Sequence, residues 1–171
     1  MNEDQMTLLG IQQIVIDECI RAIIYSRKYA SLDRTNHNKF VNSALNKMII
    51  IQWCQIFGSR NEEIHWTKVD LGPEYSPFDR SRIHELGGFF SQGEWEEYHS
   101  NMKRLRDKFF AHFDMNILHD AIPSFDKALT MLLAYRQWII DAIDTAQING
   151  VLINRGFKTN QEFLEDVEGE L

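Results

Sequence analysis

A chain of 171 residues, 44% apolar and 25% charged, has enough apolar side chains for one domain with its own core and too few residues for two of ordinary size; global disorder is excluded. Eighteen Lys and Arg against 25 Asp and Glu leave a net charge of −7, which excludes a protein that coats nucleic acid or an anionic membrane by bulk charge, so any nucleic-acid contact must be local. Five of the acids (Glu162, Glu165, Asp166, Glu168, Glu170) fall in residues 159–171 without a base, leaving 20 acids against 18 bases in a nearly neutral single helical domain over 1–158, followed by an acidic C-terminal tail over 159–171.

From about Thr7 to Ala30 apolar residues recur at intervals of three and four (Leu8, Ile11, Val15, Cys19, Ala22, Ile23), with Ile14, Ile16, Ile20 and Ile24 beside them. That pattern predicts a helix buried over more than half its circumference. A second helix is predicted from about Asn38 to Phe57, through Phe40, Val41, Ala44, Leu45, Met48 and Ile51 and the cluster Ile49, Ile50, Trp53, Cys54, with Gly58 ending it. Cys19 and Cys54 lie inside these stretches with no second pair for a framework or a zinc site, so both read as reduced core thiols. Residues 58–90 carry Gly58, Gly72, Gly87, Gly88, Pro73 and Pro77 and no sustained period. They predict a long connection with two short helices, suited to a lid or a partner surface.

Ser91 with Glu94 three residues later is a capping-box signal, and Trp95, Tyr98, Met102, Leu105 and Phe109 carry a third helix to about His112. Pro123 and Ser124 open a fourth, buried on Phe125, Leu129, Leu132, Leu133, Tyr135, Trp138, Ile139 and Ile143. From Asn149 a short irregular segment leads into the tail. No period-two alternation is long enough for a strand and there is no internal repeat, so the expectation is an all-α bundle of four main helices with short extra helices in the central connection. The opening MNEDQM is acidic where a secretory leader is basic, and no apolar run approaches the roughly twenty residues of a membrane span. A cytosolic protein with no membrane partner is expected.

The third helix closes on KRLRDKFFAH, with Lys103, Arg104, Arg106 and Lys108 inside six residues, the densest positive patch of the chain. A solvated face whose cations complement the helix C-terminus is the ordinary reading of such a run. At about 100° per residue, however, Leu105 and Phe109 define the buried stripe, with Arg106 on one edge and His112 on the other, about 120° away. Edge positions are held by packing yet reach the groove beside a neighbouring element. Two antiparallel copies of the helix across a dimer axis would bring the diverging tips together.

Arg106-Asp107-Lys108-Phe109-Phe110-Ala111-His112 resembles the signature of the HEPN superfamily (higher eukaryotes and prokaryotes nucleotide-binding), an arginine and a histidine separated by four to six residues with a polar residue after the arginine. RDKFFAHFD is most similar to the abortive-infection branch, in which a basic residue follows the polar one and a small residue precedes the histidine. More loosely, WCQIFGSRNEEIHW, Trp53 to Trp66, resembles a segment of uncharacterised members of that branch. The resemblance implies an all-α homodimer acting as a metal-independent endoribonuclease of a phage-defence or toxin–antitoxin type, without a cofactor. It implies catalytic roles for Arg106 and His112, with Asp107 orienting a catalytic side chain. HEPN toxins paired with nucleotidyltransferase antitoxins carry a tyrosine two residues after the histidine; Asp114 stands there, so control through that tyrosine is not implied.

Spacing alone does not select the site, because Arg60-Asn61-Glu62-Glu63-Ile64-His65 satisfies it as well. There Glu62 and Glu63 would repel a phosphate, and Ser59 with Glu62 reads as the start of a helix. The later match sits at the end of a long amphipathic helix among four cations. RNA brings its own nucleophile, the 2′-hydroxyl, so an enzyme needs only to move protons and to stabilise a more negative phosphorane. His112 would be the general acid or base and Arg106 would hold the phosphate. Lys103, Arg104 and Lys108 would guide the substrate backbone, and His99, four residues from Lys103 and seven from Arg106, would line the same groove.

His84 and His99 lack a partner at metal-ligand spacing, His119-Asp120 reads as a loop pair, no glycine-rich phosphate loop or serine or cysteine nucleophile arrangement is present, and Gly87-Gly88 reads as a turn. No metal site is expected. The partners implied are an RNA substrate, a second copy of the chain, and an antitoxin or defence-system protein. The rival expectations are a HEPN-like module that binds RNA, a nucleotide or a protein partner without cleaving, and an interaction domain built on the 58–90 connection.

Overall fold

Asn2 begins the first helix: its side chain accepts from Gln5 N at 2.9 Å, and Glu3 and Asp4 complement the positive end of the dipole. α1 (Glu3–Ser31) therefore starts a turn before the apolar period does. In the computed structural model, which describes residues 2–73, 75–79, 81–82, 91–108, 122–148 and 158–170, every regular element is helical. Thr35 caps α2 (Asn36–Phe57). The contacts Glu18–Gln52, Cys19 to the Ile49 carbonyl and Ser26–Asn42 set α2 antiparallel to α1.

α3 (Gln92–Arg106) opens on the expected capping box between Ser91 and Glu94. α4 (Asp126–Ile148) opens after Ser124, whose hydroxyl accepts from Asp126 N. It runs antiparallel to α1 through Gln12–Tyr135, Asp17–Arg136 and Arg27–Asp126. The core sits where α1, α2 and α4 meet, with Ile16, Ile20, Ile23, Ile49, Trp53, Phe57, Leu132, Tyr135 and Ile139 at most 1% exposed. Each such side chain contributes on the order of 1.5–3 kcal/mol of burial energy. Both cysteines are buried thiols, and burial, the largest influence, pushes the Cys54 pKa up to about 12. Among the described residues no helix is long and apolar enough to cross a membrane.

Three expectations change. Where a tail was expected, the described residues 159–170 carry a helix: α5 (Asn160–Gly169) is capped reciprocally by Thr159 and Glu162 and buries Phe163 and Val167 against the bundle. Arg136, 2% exposed, fastens it, bonding Asp17 of α1, the Lys158 carbonyl and Asn160, with its guanidinium 4.5 Å from the Phe163 ring. In the first turns of α1, Leu9, Gln12, Gln13 and Ile16 face the core while Ile14 is 60% exposed. Gln12 tolerates burial because its Oε1 accepts from the Tyr135 hydroxyl and its Nε2 donates to the Ile64 carbonyl.

The connection after α2, where it is described, packs down rather than standing off as a lid. Leu71 and Phe78 are buried, and the Ser76 carbonyl accepts from Trp138 Nε1 at 2.8 Å. Its described helical residues are a 3-10 turn, Trp66–Lys68, and Ser81 with Arg82. Residues 83–90, with His84 and Gly87-Gly88, lie outside the described residues.

Candidate functional site

α3 presents the site because its opposite face is anchored. Trp95, Tyr98, Met102 and Leu105 are buried, as their spacing predicts. Trp53 of α2 lies 6.2 Å from Trp95, 5.7 Å from Tyr98 and 6.1 Å from His99, ring to ring, and the Tyr98 hydroxyl donates to the Ser124 carbonyl. With that stripe pinned, His99, Ser100, Lys103, Arg104, Asp107 and Lys108 line one open groove of about 450 Å³. Three cations against one carboxylate make it a local positive surface on an acidic protein.

His99 is fixed at one end of the groove. Its ring stacks on Trp95 at 5.4 Å, and Nε2 lies 2.9 Å from the Gly58 carbonyl. A carbonyl only accepts, so Nε2 carries the hydrogen and Nδ1 is left as the ring's acceptor when the imidazole is neutral. Gly58 is needed for this contact: a Cβ there would stand 2.4 Å from the Cys54 carbonyl.

Arg106 does not join the groove lining. Its Nη1 bonds Glu62 Oε1 at 3.0 Å, and its Nε and Nη2 both lie 2.8 Å from Asp107 Oδ1. The Arg106 side chain is 22% exposed. Burial, the largest influence on its pKa, pulls it down, but the Asp107 hydrogen bond and the surrounding negative groups outweigh burial, and the net shift is upward. Arg106 is a permanent cation already facing two carboxylates. The chain leaves regular α geometry here, continuing through Asp107 and Lys108 in wider π-helical turns, a distortion found often at functional sites. His112 lies outside the described residues, as do His119 and Asp114.

The rival match, Arg60 to His65, lies on a turn and not at the expected helix start. Ser59 opens a turn, with Glu62 N donating to its carbonyl, and the Glu62 carboxylate reaches Arg106 instead of closing a capping box. Arg60 is exposed, whereas His65 is 3% exposed and bonds Thr67 through Nδ1. Burial, aided by Arg60, His99 and Lys68, lowers the His65 pKa to about 4, so the ring is neutral at physiological pH.

Sequence reasoning placed His99, Lys103, Arg104, Asp107 and Lys108 together, and one groove holds them. It missed Glu62 as a partner of Arg106 and the Gly58 carbonyl as the anchor of His99, contacts between residues more than forty positions apart with no local signature. Among the described residues no three His, Cys, Asp or Glu side chains gather as metal ligands. No family model matches the chain, and no curated protein or solved structure matches it either.

Proposed function

We propose that the chain is a HEPN-type, metal-independent endoribonuclease of a phage-defence or toxin–antitoxin system, acting in the cytosol as a homodimer. The observation that carries this reading is the positive groove of α3, where His99, Lys103, Arg104, Asp107 and Lys108 surround one concave surface next to Arg106. The likeness of Arg106–His112 to the HEPN signature supplies the chemistry. His112 takes the proton from the 2′-hydroxyl or delivers one to the departing 5′-oxygen, and Arg106 stabilises the charge on the phosphorane. Asp107 orients Arg106, in keeping with its 2.8 Å contact to the guanidinium. Lys103, Arg104 and Lys108 hold backbone phosphates without choosing sequence, and His99 borders the same path. A second copy of α3 brings one chain's Arg106 edge to the other's His112 edge. An antitoxin or defence-system protein restrains the nuclease.

One observation favours a second reading, a HEPN-like module that binds RNA, a nucleotide or a protein partner without cleaving. Arg106 is engaged by Glu62 and Asp107, as a structural tie would be. RNA cleavage by the wild type, Arg106→Ala and His112→Ala decides between them, with circular dichroism as the folding check. Both variants should lose cleavage while keeping wild-type helicity, and Arg60→Ala should cleave as the wild type does. Undiminished cleavage in His112→Ala removes the site assignment; a wild type that binds RNA and never cleaves leaves the binding module.

A further inference from the structure

A second polar cleft, of about 330 Å³, lies where α1 turns into α2, between the end of α1, one flank of α2 and Ile122. Arg34, Lys39 and Lys47 line it, and Asp33 is the one acid in its lining. Among the described residues none of these three cations is held in an ion pair. On a chain of net charge −7, the 22 residues of α2 contain no Asp or Glu. This cleft has no part in the site described above.

We propose that this cleft is a second phosphodiester-binding site, which holds a single strand of RNA away from the α3 groove; the proposal rests on reading the chain as RNA-binding. Lys39, Ser43 and Lys47 stand at intervals of four, one row along the helix, with the two lysines about 12 Å apart along its axis. A spread row of cations suits successive phosphates of a chain better than one phosphate, which needs donors converging on a single point. The cleft also offers surface for bases. Tyr29, Leu32, Ile50 and Ile122 give it apolar walls, and Asn42 and Asn46 are fixed by the Ser26 hydroxyl at 2.8 and 2.6 Å. Phe40, next to Lys39, is 74% exposed. Aromatic rings beside a cationic track are how proteins hold single strands without reading their sequence. The concavity and the amides favour a nucleic-acid strand over an anionic membrane, which meets a flat or convex amphipathic face.

The test is binding of a fluorescent twelve-nucleotide RNA, 2′-O-methylated throughout so that it cannot be cleaved, to the full chain across a salt series. Lys39→Gln with Lys47→Gln should weaken binding at least tenfold at low salt and reduce the slope of log affinity against log salt by about 1.4, the share of two phosphates. Phe40→Ala should weaken it about fivefold or more. Arg60→Gln with Lys68→Gln, which removes the same charge from another exposed segment, should stay within twofold of the wild type. Thiouridine cross-links should fall in residues 29–50 in addition to any in the α3 groove, a readout that needs no variant. Equal losses in both lysine and control pairs, an absence of cross-links in residues 29–50, or binding to phosphatidylserine vesicles without RNA binding would overturn the proposal. Failure of the nuclease reading looks different: unmodified RNA stays uncut while the methylated strand still binds through α2.

Discussion

Arg106 and Glu62, forty-four residues apart, join the end of α3 to the turn that follows α2 through a 3.0 Å ion pair. Asp107 grips the other side of the same guanidinium, so a phosphate approaching Arg106 competes with carboxylates already in place. The pair is partly solvated, with side chains 22% and 37% exposed, which places its worth to stability at about 1 kcal/mol or less.

Glu62→Gln separates the roles of that pair. The amide keeps an oxygen for Arg106 and removes the competing charge. If Arg106 serves a phosphate, RNA affinity or kcat/KM should rise about fivefold, with the melting temperature nearly unchanged. A lower melting temperature with no gain toward RNA would mark Arg106 as a structural tie.

Arg136 carries a heavier load. It is 2% exposed and joins α1, α4 and α5 through Asp17, Asn160 and the Lys158 carbonyl. Arg136→Ala should cost about 3 kcal/mol in urea unfolding, since it removes a buried guanidinium and leaves the half-buried Asp17, the Lys158 carbonyl and Asn160 without their donor, and limited proteolysis should then release the C-terminal helix. Glu170→Gln, which touches the partly exposed Arg21 and Tyr25, should cost less than about 1 kcal/mol. Equal costs would mean that α5 is held by its apolar face alone.

That helix shows where reading the sequence stopped short. Thr159 and Glu162 repeat the cap spacing that located α3 through Ser91 and Glu94, and Phe163 and Val167 stand four apart. Five acids without a base hid this amphipathic face behind the composition of a tail. Local rules also carried the buried stripe of α3 and the ends of α2, because caps and periods act within a few residues. They failed for Gln12 and Gln13, polar residues on the core face, and for Phe40, an apolar residue in solvent. Those outcomes depend on what tertiary structure brings opposite, as do the Glu62 and Gly58 contacts of the site.

His65 makes stability depend on pH. Its pKa is about 4 in the folded chain against about 6.5 when unfolded, because burial disfavours the imidazolium. The unfolded state therefore binds the extra proton first. This contribution is complete above about pH 6.5, and roughly 3 kcal/mol is lost as pH falls from there through about 4. Urea unfolding at pH 7.5 and 4.5 should show the loss, and His65→Gln, unable to titrate, should flatten it. An unchanged pH profile in that variant would assign the acid sensitivity to other groups.

The products of cleavage test the proposed chemistry independently of the fold. Attack by the substrate's own 2′-oxygen on the adjacent phosphorus expels the 5′-oxygen, so the upstream fragment ends in a 2′,3′-cyclic phosphate and the downstream one in a 5′-hydroxyl. In the proposed chemistry His112 and Arg106 would supply proton transfer and charge stabilisation, and neither step would require a divalent ion. Cleavage should persist in excess chelator, and a single deoxyribose at the scissile position should block it. Mass spectrometry of the fragments reads the ends directly. A 3′-hydroxyl upstream with a 5′-phosphate downstream, cleavage of the deoxy substrate, or restoration of activity only by magnesium or manganese would each mean that water or another external nucleophile makes the attack, and the roles given to Arg106 and His112 would then fail.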